Sequence, residues 1–407
     1  MQEYLVACQN KWWHFFIKPF YGLCYRKGEG GRFSGFEVLL AEACEDFCAV
    51  SFGDGIHIVC QDKAGSIIYL AMDGDSWRKS VLLESKSQAS YPKHFSLIPV
   101  GKFLNLFYVI TYQEKHMLVH QILGVGEQTP TVVDRIFLSR PAFLISRNSS
   151  TDLCVFYENE SGVSGCRVFR WSKKDFGGFI PVNPALGSRL CGVLTEVGEQ
   201  MHYCALQPVE SVYNLIYFEK TEDGAFTEPL IVNLDCPQEI HPVFCRDGEK
   251  LYLSWRENGC VMSSYITDKN TKWTKPVRYM KGSGVESVLY TICCEGQFWQ
   301  AYGFEKDQDI VFYIGQGLPE AAEKKKAKVF RPVGFEAEDF AKSMGFGEDK
   351  TVPEKDPVLE QLKTDFLKLK EQVFSLRQQL LEVTEKLERL ETKEKTNGGV
   401  VAQISTN

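Results

Sequence analysis

Imidazole changes charge near neutral pH, so the seven histidines are the residues of this sequence best suited to proton transfer or metal binding. They are spread along the chain rather than grouped: His14, His57, His94, His116, His120, His202 and His241. A closed fold can bring distant residues together, so this scatter does not exclude a shared site. A single histidine within a strand is more often a packed or a surface residue, and we predict that structural role.

The fourteen cysteines could form disulfides or hold a metal, but they occur singly within apolar, strand-like segments. Buried, reduced thiols in a cytoplasmic protein are the simplest interpretation. The closest pairs are Cys44 with Cys48 and Cys293 with Cys294. Neither has a second cysteine or histidine pair at the spacing of a zinc site, so we predict no metal and no cofactor.

The remaining motifs give no catalytic residue. We find no nucleophile elbow, no P-loop and no dinucleotide fingerprint in the sequence. Asp54, Asp62 and residues 73–75 lie in or near predicted hairpin turns, where aspartate satisfies local backbone donors. We therefore predict that the protein is not an enzyme.

Residues 12–16 form an unbroken aromatic run, Trp-Trp-His-Phe-Phe. Alternate side chains of a strand point to opposite faces, so the run can be buried only if both faces of its sheet are covered. We predict such burial. If one face is open instead, Trp13 could stack on a sugar ring or a peptide.

The composition limits the class of protein. The chain has 407 residues and a formal net charge of -7, which argues against nucleic-acid binding because a basic field usually supplies most of that affinity. The first residues lack the pattern of a secretory signal, and no run of 18 apolar residues predicts a membrane span. With the free cysteines, these features predict a cytoplasmic location.

Short strand-like runs bounded by turn residues fill residues 1–333, and they repeat. An aromatic residue marks the third strand of each unit, at spacings of 44 to 49 residues. The positions are Tyr25, Tyr69, His120, Phe169, Tyr217, Tyr265 and Tyr313, where His120 and Phe169 were placed by the spacing. A second aromatic residue follows in five units: Phe33, Trp77, Phe179, Phe226 and Trp273.

Each unit divides into about four strands joined by turn residues, as in residues 241–280 with their Asp-Gly and Asn-Gly pairs. Four-stranded antiparallel units at this period are typical of propeller blades. Residues 1–333 therefore resemble the β-propeller class, and we predict an all-β propeller of seven blades, with six or eight as alternatives. The Trp-Asp, Gly-Gly and Asp-box motifs of named propeller families are missing.

A heptad repeat predicts a long α-helical coiled coil over residues 357–395. Residues 334–356 read as a linker or a short docking helix, and residues 396–407 as a disordered tail. The charged pairs Asp365–Lys370 and Lys386–Glu391 favour parallel helices. The predicted oligomerisation residues are Leu359, Leu362, Phe366, Leu369, Val373, Leu376, Leu380, Val383, Leu387 and Leu390.

Two functions fit these features. The first is a non-enzymatic interaction or scaffold protein that presents propeller heads on an oligomerising stalk, with an unknown protein or glycan as ligand. The alternative is a glycan-binding or glycan-cleaving propeller, similar in architecture to sialidases. The ligand-binding residues are not identified by the sequence.

Overall fold

The computed structural model describes residues 2–314 except 30–31, 34, 86–90, 125–128, 148–151, 183–186, 196–199, 222–224, 238–239, 268–271, 280–285 and 295. The chain divides between Lys325 and Lys326, and every described residue belongs to the first part. The predicted linker, coiled coil and tail, with all ten heptad positions, lie outside the described residues.

The described strands fall into seven units that follow one another along the chain. The first three units contain β1 (Gln2–Cys8), β2 (Lys11–Lys18), β3 (Gly22–Glu29), β4 (Arg32–Phe33) and β5 (Glu37–Leu40); β6 (Ala43–Phe52), β7 (Gly55–Asp62), β8 (Ile67–Asp73) and β9 (Ser76–Leu83); and β10 (Ser96–Val100), β11 (Phe103–Tyr112), β12 (Lys115–Leu123) and β13 (Thr131–Ile136).

The next two units contain β14 (Phe143–Arg147), β15 (Leu153–Glu158), β16 (Ser164–Arg170), β17 (Asp175–Phe176) and β18 (Ile180–Pro181); and β19 (Arg189–Thr195), β20 (Met201–Val209), β21 (Val212–Glu219) and β22 (Leu230–Cys236). The last two contain β23 (Val243–Asp247), β24 (Lys250–Glu257), β25 (Cys260–Thr267) and β26 (Val277–Tyr279); and β27 (Val288–Cys294), β28 (Gln297–Lys306) and β29 (Asp309–Phe312).

Within each unit the strands form an antiparallel sheet and pair with their sequence neighbours, except that β5 pairs with β3 and β18 pairs with β16. The first and seventh units are joined into one sheet, because β1 pairs in parallel with β27. A buried apolar cluster also lies between each unit and the next, including the seventh and the first. Consecutive antiparallel sheets of about four strands, packed in this way, are the architecture of a β-propeller, as predicted.

Tight hairpins set the strand boundaries. In the sixth unit, β24 and β25 are joined by Asn258 and Gly259, which have φ values of 49° and 75°. Asparagine and glycine tolerate this left-handed region better than other residues, so the pair fits a two-residue turn. The strands predicted for residues 241–280 are confirmed, with ends that differ by at most two residues.

The predicted repeat register is also confirmed. The marker residues Tyr25, Tyr69, His120, Phe169, Tyr217 and Tyr265 all lie on the third strand of their unit, and Tyr313 directly follows β29. The second aromatic marker can pack against a glycine of that third strand. A Cβ atom added to Gly28 would lie 2.7 Å from Cδ1 of Phe33, so the bare backbone makes room for the ring.

The aromatic run of the first unit is buried. Trp12 and Trp13 are 1% and 4% exposed, and Trp13 packs against Trp77 of the second unit at 6.3 Å between ring centroids. The predicted burial is confirmed, and the alternative in which Trp13 stacks on a ligand is wrong because neighbouring units cover both faces of the strand. All fourteen cysteines are free and most are buried. No helix in the described part of the chain is long and apolar enough to cross a membrane.

Candidate functional site

A cavity of about 880 Å³ lies where the seven units meet. Residues of the first strand, or residues just before it, contribute to its wall from every unit. They include Gln2 and Tyr4; Asp46 and Phe47; His94 and Phe95; Arg140 and Phe143; Gly192 and Leu194; His241 and Phe244; and Ser287 and Thr291. The cavity is therefore the central channel of the propeller, and most of its polar residues lie at the end where the first strands begin.

A cluster of amide and hydroxyl groups forms one wall of this central cavity. The Nε2 atoms of Gln2 and Gln300 both donate hydrogen bonds to Oγ1 of Thr291, at 2.6 and 3.2 Å. The carbonyl oxygens of the two amides accept no hydrogen bond from another described residue. They remain available to accept hydrogen bonds from a ligand.

Asp46 links the second and third units across the cavity wall. Its Oδ2 atom accepts hydrogen bonds from the backbone N–H groups of Lys93 and His94, the second at 2.6 Å. Burial raises the pKa of Asp46, although these hydrogen bonds and the nearby His94 act in the opposite direction. The carboxylate is thus used to hold the segment that leads into β10.

His94 itself is strained and poorly satisfied. It has a φ of 53°, and its Nε2 atom is buried with no hydrogen-bond partner among the described residues. Desolvation lowers the pKa of His94, with nearby Asp46 opposing the shift. Backbone strain of this kind persists only where surrounding contacts impose it, and here the Asp46 carboxylate does so.

His241 lies across the cavity at the start of the sixth unit. Its backbone carbonyl accepts a hydrogen bond of 2.8 Å from the Tyr302 hydroxyl, which joins the sixth and seventh units. Burial lowers the pKa of the imidazole to about 4. Both cavity histidines are therefore neutral near pH 7 and can act as hydrogen-bonding groups rather than as cations.

Two arginines supply positive charge at the cavity. Arg140 is exposed and lies near enough to His94 to help lower its pKa. Arg256 is half-buried and forms a long ion pair of 3.6 Å with the exposed Glu286. Aromatic rings complete the lining, and Phe298 and Trp299 are both only partly buried.

The other histidines serve packing, as the sequence predicted for them. His14, His120 and His202 are at least 96% buried and hydrogen bond to Glu3, Asn105 and Tyr217 respectively. His57 contacts the Tyr69 hydroxyl at 2.6 Å, and His116 contacts Thr111 at 3.0 Å. Only His94 and His241 meet at the cavity.

The sequence did not identify Gln2, Thr291 and Gln300 as a group. The repeat register places each on a strand near the axis, which was the available signal. It could not show that residues almost 300 positions apart share one hydroxyl, because that contact depends on the pairing of β1 with β27.

The fold and its central cavity define a β-propeller with a ligand-sized channel. No protein-family model and no curated protein sequence matches the chain. Among solved structures, ulvan lyase, a polysaccharide lyase in complex with GlcA(1-4)Rha3S, matches with a TM-score of 0.50 and 9% identity over 76% of this chain and 90% of the lyase.

Two further solved structures are also similar. The lectin of Aleuria aurantia in complex with α-methyl-L-fucoside has a TM-score of 0.42 and 12% identity, over 70% of this chain and 96% of its own. AofleA of Arthrobotrys oligospora has a TM-score of 0.40 and 14% identity, over 67% of this chain and 87% of its own. At these identities the likeness concerns the fold alone.

Proposed function

We propose that the protein is a non-enzymatic binding protein whose propeller holds an oligosaccharide in the central cavity. The observation that carries this proposal is the wall formed by Gln2, Thr291 and Gln300, whose hydrogen-bonded amide and hydroxyl groups line a cavity of about 880 Å³. Such a volume suits a small ligand or part of a glycan.

The chemistry of the lining fits a sugar. Sugar hydroxyl groups can donate hydrogen bonds to the Gln2 and Gln300 carbonyl oxygens and accept them from Arg140 or Arg256. The partly buried rings of Phe298 and Trp299 offer apolar surface for the C–H face of a sugar ring. Neutral imidazoles at His94 and His241 add further polar contacts without a fixed charge.

The binding proposal is tested with Gln300→Ala in the full chain. Its matched control is Gln297→Ala, on the same strand but exposed and outside the cavity wall. The ligand panel contains α-methyl-L-fucoside, a GlcA–Rha3S oligosaccharide and uncharged hexose oligosaccharides, measured by calorimetry. For any sugar that binds, loss of the Gln300 hydrogen bonds should weaken affinity about tenfold, while the control keeps it.

Two results would overturn the binding proposal. One is that no sugar of the panel binds; the other is that both glutamine variants bind like the wild type. Chromatography of the same sugars after incubation separates binding from cleavage. New shorter products that disappear in the Gln300→Ala variant would favour the glycan-cleaving alternative instead.

We also propose that residues 357–395 form a parallel coiled coil that links several propeller heads. The heptad positions from Leu359 to Leu390 support this, because a helix with one apolar seam needs a partner. Linked copies would raise the avidity of a weak sugar site. The free cysteines favour a reducing compartment such as the cytoplasm for this assembly.

Assembly is tested by light scattering on the full chain and on a chain that ends at Lys350. A dimer, trimer or tetramer that becomes a monomer on truncation supports the stalk. If both are monomers, the seam does not link copies of this chain and the avidity argument fails. The sugar-binding proposal would be unaffected by that outcome.

A further inference from the structure

A second cavity, of about 460 Å³, lies at the opposite ends of the first strands. Its wall comes from the turns that follow β1, β6 and β10, from Cys294 and Gly296 at the end of β27, and from Arg147, the last residue of β14. The turn residues lining it are Gln9 and Asn10, Gly53 and Asp54, Gly101, and Gly296. The hairpin between β6 and β7 has a two-residue turn at Gly53–Asp54.

Arg147 is the only cationic residue among the described residues that line this second cavity. Its Nη2 atom donates a hydrogen bond to the carbonyl oxygen of Pro99, which holds the guanidinium against the third unit. No described carboxylate lies within ion-pair distance of Arg147. A guanidinium has five N–H donors, so most of its hydrogen-bonding capacity is not used by the described protein groups.

The burial of Arg147 makes these unused hydrogen-bond donors unusual. The residue is half-buried, and burial lowers the pKa of its guanidinium. A charged group removed from water is costly unless a counter-charge or hydrogen bonds replace the lost solvation. Arginine presents a planar fork of donors that matches the two oxygens of a carboxylate or phosphate.

We propose that the second cavity binds a small oxyanion, a carboxylate or a phosphate group, through the guanidinium of Arg147. This site is separate from the sugar cavity, which lies toward the other ends of the same strands. Asp54 is the only acidic residue among the described residues that line it, so it sets an opposing charge at the rim. Removal of that charge should strengthen anion binding.

The test measures binding of inorganic phosphate and of malonate to the full chain by calorimetry, at constant ionic strength set with sodium chloride. Arg147→Gln should weaken binding about tenfold or more, because a charge-assisted hydrogen bond is lost. Arg147→Lys keeps the positive charge but loses the planar pair of donors, so its affinity should lie between those of the wild type and of Arg147→Gln. Asp54→Asn should bind more tightly than the wild type.

The matched control is Arg135→Gln, an exposed arginine on β13 that pairs with Glu160 at 3.8 Å. It should bind both anions like the wild type. Preference for malonate or for phosphate tells which group the site is built to hold. The proposal is overturned if neither anion binds beyond the sodium chloride control, or if Arg147→Gln, shown folded by circular dichroism, binds with unchanged affinity.

Discussion

Arg26 and Glu305 lie 279 residues apart in sequence and form a two-pronged ion pair in the structure. Nη1 and Nη2 of Arg26 donate to Oε1 and Oε2 of Glu305 at 2.8 and 2.6 Å. The Nε atom of the same arginine donates to Nδ1 of His14 at 2.9 Å, and His14 contacts Glu3 at 2.5 Å. The pair joins β3 of the first unit to β28 of the seventh, where the ring closes.

Arg26→Gln should therefore destabilise the propeller by about 1–3 kcal/mol, because the variant leaves Glu305 and Nδ1 of His14 without their donor. The Arg26 side chain is only 10% exposed, so water cannot fully replace it. Chemical denaturation followed by tryptophan fluorescence measures the change in the free energy of unfolding.

The control for this prediction is the pair of Arg32 with Asp309 at the same junction. Its atoms are 3.6 Å apart and the Arg32 side chain is 83% exposed, so Arg32→Gln should change stability by at most about 0.5 kcal/mol. Equal losses in the two variants would contradict a special role for Arg26 in closing the ring.

Gly165 of the fourth unit should not tolerate a side chain. A Cβ atom there would lie 2.5 Å from the backbone oxygen of Ile180 and would also meet the ring of Phe179. Gly165→Ala should therefore cost about 1–3 kcal/mol through overpacking. Gly178→Ala is the matched control, since nothing lies within 4 Å of its added atom, and a thermal melt of both variants checks the difference.

This glycine shows why the repeat could be predicted from sequence. The third strand carries an aromatic marker and, in some units, a glycine that receives the second marker, so the same packing recurs at a nearly constant spacing. Tyr25, Tyr217 and Phe169 are all at most 7% exposed, which makes them necessary for packing between units. A packing requirement repeated in several units leaves a periodic pattern that a single sequence can show.

The candidate site leaves no such pattern. Gln2, Gln300 and Thr291 are polar residues of ordinary type, and only the closure of the ring brings them together. Likewise, nothing in the sequence distinguishes Arg147 from the other arginines, because the absence of a carboxylate partner among the described residues depends on three-dimensional neighbours. The heptad positions stay a prediction, since they lie outside the described residues.

His120 should make the propeller sensitive to acid. It is 4% exposed, its Nε2 atom is 3.0 Å from Oδ1 of Asn105, and burial lowers its pKa to about 3. Below about pH 6.5 the unfolded chain binds a proton that the folded chain refuses, so stability falls by about 1.4 kcal/mol per pH unit until the folded pKa is reached.

His120→Gln has no imidazole that could be protonated, and its amide can still donate a hydrogen bond to Asn105. The variant should lose less stability than the wild type between pH 6.5 and pH 5, by about 2 kcal/mol. The free energy of unfolding in urea, measured at several pH values, gives the two slopes. His116→Gln on the same strand is the control, and parallel slopes for wild type and His120→Gln would refute the assignment.

Asp46 should make the propeller less stable as the pH rises, whereas His120 makes it less stable as the pH falls. Its pKa is raised, chiefly by burial, so the folded state holds the proton more tightly than the unfolded chain does. Its contribution is therefore fully present below the unfolded pKa of about 4 and is lost as pH rises through the folded pKa.

Asp46→Asn has no charge to desolvate, and its amide oxygen can still accept from the backbone N–H groups of Lys93 and His94. The stability of this variant relative to the wild type should increase between pH 4 and pH 7. Because pH-independent effects of the amide cancel in that comparison, a constant difference would show that folding does not shift the pKa of Asp46. A difference that shrinks would show that the carboxylate is better stabilised in the cavity wall than in water.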